Sequence, residues 1–277
     1  MQSASPEQVN IWHNSAKICS GVTMTGMVLI TGAAQRVGLH CALGLQQAGY
    51  QVIATYRQPK AGVEQLRQAG VVCLALDITP HSDLALQVAD LAAAVGDLCQ
   101  QQQLPLRAVI HNASSWAGEV QTSGDLLAQL SADAAVFDDM FRIHTKLPYL
   151  LSRALAPLLT TEQPQAADII AISDFAVNTG SCNHMAYAAS KAALENLVLS
   201  LARQLAPQVK VNAIAPALLM FNEGDSAEYR AFTLKKSLME IEPGPAEVLQ
   251  SILYLLQSRY ITGRVLALDG GRHLKLP

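Results

Sequence analysis

Charge and aromatic rings are both scarce in this chain of 277 residues: 15% of positions are Asp, Glu, Lys or Arg, and 5% are Phe, Trp or Tyr. So low a charge content, set against 51% hydrophobic residues, excludes a disordered solvating chain and predicts one large globular domain. Neither sign of charge dominates. With 19 Lys plus Arg against 22 Asp plus Glu, the formal charge of −3 provides no basic field for nucleic acid or an anionic membrane surface.

Cysteine is sparse and unpatterned. Cys19, Cys41, Cys73, Cys99 and Cys182 are odd in number, far apart and without a C-x-x-C pair or a nearby histidine partner. Neither a disulfide framework nor a metal site is predicted; small buried thiols in a reducing cytoplasm fit better, with Cys182 alone near a segment of chemical interest. No run reaches the ~18 apolar residues that a membrane helix needs. Residues 1–26, broken by Glu7, His13, Asn14 and Lys17, lack the apolar stretch of a secretion signal. Because Met24 and Met27 stand directly before the first strand-like run, that stretch is expected to be a disordered extension or an over-long start, although Trp12 is a side chain that could dock.

What is present is an alternation. Short Val, Ile and Leu runs near Val28–Ile30, Gln51–Thr55, Val71–Leu76, Ala108–His111, Asp168–Ser173, Lys210–Ile214 and Val265–Leu268 are separated by longer amphipathic segments. Apolar runs without polar alternation are strands buried on both faces, and their alternation with helices implies βαβ crossovers. The fold class is therefore α/β, a doubly wound, mostly parallel, Rossmann-like sheet in a single domain over residues 27–277. Such sheets take ligands at the carboxyl ends of their strands, where Asn112 and Asp174 both fall.

Two constellations carry chemistry. Thr31-Gly32-Ala33-Ala34-Gln35-Arg36-Val37-Gly38 follows the first strand as a phosphate turn: Gly32 lets the backbone bend and Gly38 lets the next helix pack close. After the second strand comes Tyr56-Arg57, where an acid would accept the ribose hydroxyls of NAD. Arg57 instead offers a donor for a 2′-phosphate, which points to NADPH, the alternative being a solvated loop arginine. Asp77, ending the third strand, could accept from an adenine amino group or cap a turn. Further on, Tyr187 and Lys191 share a helical face thirteen residues beyond the strand-end Asp174. A neighbouring ammonium favours the phenolate, so Lys191 is expected to make the Tyr187 proton easier to deliver.

From about Met27 to its end the chain resembles the short-chain dehydrogenase/reductases, and within them the pteridine reductase branch. That branch's T-G-x-x-x-R-x-G turn is matched by Thr31, Gly32, Arg36 and Gly38, and its aspartate in place of the wider family's serine by Asp174. The N-A-S-S-aromatic segment is matched by Asn112-Ala113-Ser114-Ser115-Trp116. The closing strand is matched by Tyr260-Ile261-Thr262-Gly263-Arg264 and Asp269-Gly270-Gly271. Three departures stand out. His144 replaces an active-site asparagine and is read as a surrogate that holds water or backbone; the usual N-N-A-G reads His111-Asn112-Ala113-Ser114; Ala217 follows Pro216 where glycine is common.

The resemblance implies Asp174, Tyr187 and Lys191 as catalytic residues. It implies Gly32, Arg36, Val37, Arg57, Asp77, Asn112, Tyr187, Lys191 and Pro216 as cofactor contacts, with Asn112 and Lys191 on the nicotinamide ribose. Arg36, Ser114, Trp116 and Tyr187 would meet the substrate, the Trp116 ring stacking a planar pterin. The implied reaction is NADPH-dependent reduction of 7,8-dihydromonapterin, with dihydrofolate a second substrate, the N5 proton coming from Tyr187 or from a water held by Asp174 and Arg36. A homotetramer is implied by resemblance alone. Two alternatives stay open: a reductase of the same fold acting on another carbonyl or imine, and a non-catalytic NADPH-binding sensor. The polar segment 218–240, with Phe221-Asn222-Glu223-Gly224-Asp225, is expected to be a mobile substrate loop or an ordinary insertion.

Overall fold

The computed structural model describes residues 25–119, 124–159 and 166–275, so the proposed extension, up to residue 24, lies outside the described residues. All seven expected strands form within two residues of the expected ends: β1 Met27–Ile30, β2 Gln51–Tyr56, β3 Val72–Ala75, β4 Leu106–His111, β5 Ala167–Ile172, β6 Val209–Pro216 and β7 Val265–Leu268. Every pairing is parallel, in the order β3-β2-β1-β4-β5-β6-β7. The order reverses between β1 and β4, which opens a crevice beyond their carboxyl ends.

Helices α1 Arg36–Gln47, α2 Ala61–Gln68, α3 Leu84–Gln102, α4 Leu126–Phe141, α5 Leu147–Leu155, α6 Ala176–Thr179, α7 Met185–Leu205, α8 Ala227–Leu234 and α9 Ala246–Gln257 supply the connections. Strand pleating sends successive residues to opposite faces, so β1 splits its side chains between two cores. Met27 and Leu29 join Val88 and Val95 of α3, Leu151 of α5 and Val198 of α7. Val28 and Ile30 join Leu45 of α1, Leu66 of α2 and Ile252 of α9. The sheet is thus covered on both sides, which is why its strands read as unbroken apolar runs.

At the amino ends of β4, β5 and β6 a charged group crosses the sheet. Asp168 lies 2.6 Å from Arg107 Nη1 and 2.8 Å from Lys210 Nζ, and all three side chains are buried. The two cations also close the end of α9: Arg107 Nη2 donates to the Leu256 carbonyl at 2.7 Å, and Lys210 Nζ to those of Leu255 and Ser258 at 2.7 and 2.6 Å. Last-turn carbonyls have no partner within a helix, so these donors both satisfy them and meet the negative end of the helix dipole. The network lies at the opposite end of the sheet from the crevice and fixes the scaffold.

Candidate active site

The turn after β1 is clamped to the end of β4. Thr31 Oγ1 accepts from the amide N–H groups of Asn112 and Ala113, both at 3.0 Å. In return Asn112 Nδ2 donates to the carbonyls of Thr31 and Gly32 at 3.0 and 3.1 Å. Gly32 has φ +67°, and a Cβ there would sit 2.7 Å from Ala113 Cα. A Cβ on Gly38 would meet Asn112 Nδ2 at 2.5 Å and the Gly32 carbonyl at 2.6 Å. Glycine at these two positions is what lets strand end, turn and α1 converge, leaving the first-turn amides of α1 available to an anion.

Arg36 opens α1 with φ +51°, a strained backbone for an arginine. Its exposed guanidinium donates through Nη1 to Asn222 Oδ1 at 2.5 Å and through Nη2 to the Met220 carbonyl at 3.4 Å, joining the phosphate turn to the 218–240 segment. Val37 is half-buried against the α1 core. Arg57 is exposed beyond β2 and lines a groove with Gly32, Gln35, Gln58, Lys60 and Ser114. Lys60 Nζ donates to Gln35 Oε1 at 2.5 Å, so a second cation stands beside Arg57. Asp77 Oδ1 accepts from the Thr79 amide at 2.9 Å, and chiefly that N–H holds its carboxyl below the usual range. It caps a turn in this structure.

Tyr187, Ser190 and Lys191 lie on the buried face of α7, which small residues such as Ala186 and Ala188 keep close to its neighbours. The helix starts where Glu119 Oε1 accepts from the Met185 amide at 2.5 Å, a carboxylate at a helix N-terminus. Tyr187 Oη donates to Asp174 Oδ2 at 2.8 Å, while Asp174 Oδ1 is fixed by the Ala176 amide at 2.7 Å. Lys191 Nζ donates to the Ile172 carbonyl of β5 at 2.8 Å and lies 5.7 Å from the Tyr187 ring centroid. The i, i+4 spacing brings the two residues to one face as expected.

The expected electrostatics reverse. Burial first, then the Asp174 carboxylate, drive the Tyr187 phenol well above its ordinary value. Burial pulls Lys191 down to about 8, against the opposing effects of Asp174 and Glu195. Glu195, one turn further along α7, is itself raised by burial and accepts from Ser173 Oγ at 2.6 Å. Tyr187 is therefore a neutral donor held on a carboxylate, not a phenolate waiting beside an ammonium.

Ser114 and Trp116 flank this pair. Trp116 is 61% exposed, its ring centroid 4.4 Å from that of Tyr187 in an edge-on arrangement and 4.1 Å from that of His184. Ser114 Oγ lies 2.9 Å from Nε2 of His144, which is buried in the π-helical turn Arg142–Lys146 between α4 and α5. Such turns swing an inserted residue inward and recur at functional sites. Pro216 ends β6 beside the same crevice, its carbonyl accepting from the Phe175 amide at 2.9 Å.

Segment 218–240 contains α8, capped by Ser226 Oγ accepting from the Tyr229 amide at 3.2 Å, and Arg230 Nη2 ties back to the Asn222 carbonyl at 2.6 Å. Exposed Cys182 lies in the loop before α7. Lys60, Ser190 and Glu195 were not anticipated from sequence. Glu195 stands four residues from Lys191, and that spacing alone could have placed it on the same face. Lys60, three residues past Arg57, had charge as its signal.

A glycine turn on a helix N-terminus at the switch point, with a tyrosine and lysine one helical turn apart beside a strand-end carboxylate, defines an oxidoreductase site for a nicotinamide dinucleotide. The chain belongs to the short-chain dehydrogenase/reductase family. A family model described as enoyl-(acyl carrier protein) reductase matches residues 32–273. A dihydromonapterin reductase of Klebsiella pneumoniae subsp. pneumoniae is 47% identical over 248 residues, 90% of this chain and 97% of that protein. One of Escherichia coli strain K12 is 43% identical over 255 residues, 92% of this chain and all of that protein. Among solved structures, FolM alternative dihydrofolate reductase 1 of Brucella canis, complexed with NADP, superposes with a TM-score of 0.74 at 27% identity, covering 92% of this chain and 97% of that one.

Proposed function

We propose that this protein reduces 7,8-dihydromonapterin to its tetrahydro form with NADPH, dihydrofolate being a slower substrate. The observation that carries the reading is the 2.8 Å hydrogen bond from Tyr187 to Asp174 between Ser114 and Trp116: a proton donor, a carboxylate and an aromatic wall at one strand end. The similarity to bacterial dihydromonapterin reductases and to the Brucella FolM dihydrofolate reductase supports the same substrate class.

The donor set suits the dinucleotide. The turn at Gly32 and the first-turn amides of α1 would hold the pyrophosphate, Arg36 would add charge there, and Val37 and Pro216 would supply apolar contact. Arg57 and Lys60 would take a 2′-phosphate, with no carboxylate among the described residues lining their groove and Asp77 near Arg57 turned to the Thr79 amide. Asp77 lies at the adenine end. Lys191 would orient the nicotinamide ribose, and Asn112 holds the phosphate turn through the Thr31 and Gly32 carbonyls. When bound, the nicotinamide supplies the hydride that goes to C6 of the substrate. Across the same C6=N5 bond, N5 gains its proton from Tyr187 as the phenol turns away from Asp174, or from a water held on that carboxylate.

The reading carries a reducing cytoplasm, which suits the free thiols Cys41, Cys73, Cys99 and Cys182, and a homotetramer. No helix among the described residues is long and apolar enough to cross a membrane. The experiment is NADPH oxidation followed in parallel with dihydromonapterin, dihydrobiopterin, dihydrofolate and a simple ketone. Preference for a dihydropterin supports the proposal, and preference for the ketone points to a carbonyl reductase on the same scaffold. No turnover with any of them favours a sensor.

A further inference from the structure

The hydrogen bonds around His144 give its two ring nitrogens different roles. Ser190 Oγ lies 2.7 Å from the Tyr187 carbonyl, which can only accept, so the single Ser190 hydroxyl proton is spent there. His144 Nδ1, 2.8 Å from the same oxygen, must then carry a proton and donate. At the other side of the ring, the Ser115 amide N–H points at Nε2 from 3.3 Å, so Nε2 is an acceptor. The hydroxyl of Ser114, 2.9 Å from an accepting Nε2, therefore donates to it; the other acceptors within its reach are the Ser115 carbonyl, 3.5 Å away, and the phenol oxygen of Tyr187, whose own proton lies on Asp174.

The ring is well held in this state. His144 is buried, its ring packs edge-on against Tyr187 with centroids 5.2 Å apart, and the adjacent Thr145 hydroxyl also binds the Ser190 carbonyl at 3.1 Å. Burial, with Lys191 nearby, lowers its pKa to about 2, in keeping with a neutral imidazole. Ser114, by contrast, is exposed at the groove.

We propose that His144 is a positioning residue that fixes the Ser114 hydroxyl rotor, so that Ser114 presents only lone pairs to the crevice and selects a substrate with an N–H or amino hydrogen there. The inference rests on the dihydropterin reading, whose ring bears such hydrogens, and it gives His144 no part in proton transfer. A carbonyl oxygen at the same place would face lone pair against lone pair, so the device discriminates between ligands of similar shape.

The test separates the two nitrogens. In His144→Gln the amide oxygen reaches the Nε2 position and can still accept from Ser114 and Ser115; in His144→Asn the shorter amide reaches only the Nδ1 side. Expected results are a dihydropterin KM raised about tenfold in His144→Asn and within about threefold of wild type in His144→Gln, with kcat and the KM for NADPH little changed. Ser114→Ala should match His144→Asn, and the double variant should be no worse than either. Equal damage in the Gln and Asn variants, or a loss confined to kcat, would overturn the proposal. Independently of any substrate, ¹⁵N NMR of the histidine ring at pH 7 should report a neutral Nδ1–H tautomer. An imidazolium or an Nε2–H tautomer would overturn the proposal even if the variants fail to fold. Absence of any dihydropterin turnover alongside the expected tautomer would instead count against the substrate reading, and with it the selection the proposal assigns to Ser114.

Discussion

The Tyr187 hydroxyl is bound to Asp174, at 2.8 Å, and Lys191 stands aside on the carbonyl of Ile172. A phenol in that setting stays protonated through the physiological range, and its proton already lies on a line to a carboxylate. Tyr187→Phe is expected to lower kcat by ~10²–10⁴ with little change in NADPH affinity, as for a lost general acid. Retention of activity would assign proton delivery to water. Asp174→Asn removes a negative charge that raises the phenol, so the alkaline limb of the kcat profile should move to lower pH; an unmoved limb would show that Tyr187 is not the titrating donor.

Lys191, lowered to about 8 by burial, should lose its ammonium as the pH rises through that value. If that charge orients the ribose, the KM for NADPH should climb above about pH 8 and stay flat from pH 6 to 7. Lys191→Met should raise KM at all pH values and abolish the dependence. A flat wild-type profile to pH 9.5 would remove Lys191 from cofactor binding.

Cofactor choice is assigned to Arg57 together with Lys60, which is held by Gln35 at 2.5 Å. Each single replacement by alanine should lower the kcat/KM preference for NADPH over NADH by about tenfold, the range of one charge-assisted hydrogen bond. Equal use of both dinucleotides by the wild type would refute the assignment. Unchanged discrimination in Lys60→Ala would leave Arg57 acting alone.

Asp168 is the sole carboxylate between Arg107 and Lys210 in the described network. Asp168→Ala strands two buried cations, and removing one partner of a buried ion group costs about 3–5 kcal/mol. Urea unfolding reads this directly, provided the transition is two-state. Because the network lies at the amino ends of the strands, kcat measured on the folded fraction should be close to wild type. A loss below about 1 kcal/mol would show that water reaches the cations.

Much of this was legible beforehand. Buried parallel strands leave an apolar run that needs no knowledge of their partners, and all seven were found near their expected ends. Asp174, Tyr187 and Lys191 were legible through spacing, because a strand end and one helical turn have fixed geometry. The sign of the Tyr187 shift was not: it depends on how deeply α7 is buried and on the phenol meeting the Asp174 carboxylate, and neither is encoded in a four-residue interval. The reading of His144 as a surrogate that holds backbone is met by the Ser115 amide, which donates to its Nε2; its contacts with Ser114 and Ser190 were hidden for a related reason. The π-helical turn that aims it inward has no compositional mark in Arg142-Ile143-His144-Thr145-Lys146, and the tautomer follows from a serine 46 residues away.

The central claim is the pairing of this site with a dihydropterin. Its most direct measurement is the ratio of kcat/KM for 7,8-dihydromonapterin to that for a simple ketone, both with NADPH, in the wild type and in Asp174→Ser. The account predicts a ratio far above one in the wild type and a drop of at least tenfold in the variant, since the carboxylate that holds the Tyr187 proton is lost. A wild type that prefers the ketone, or a variant whose ratio does not move, would contradict it.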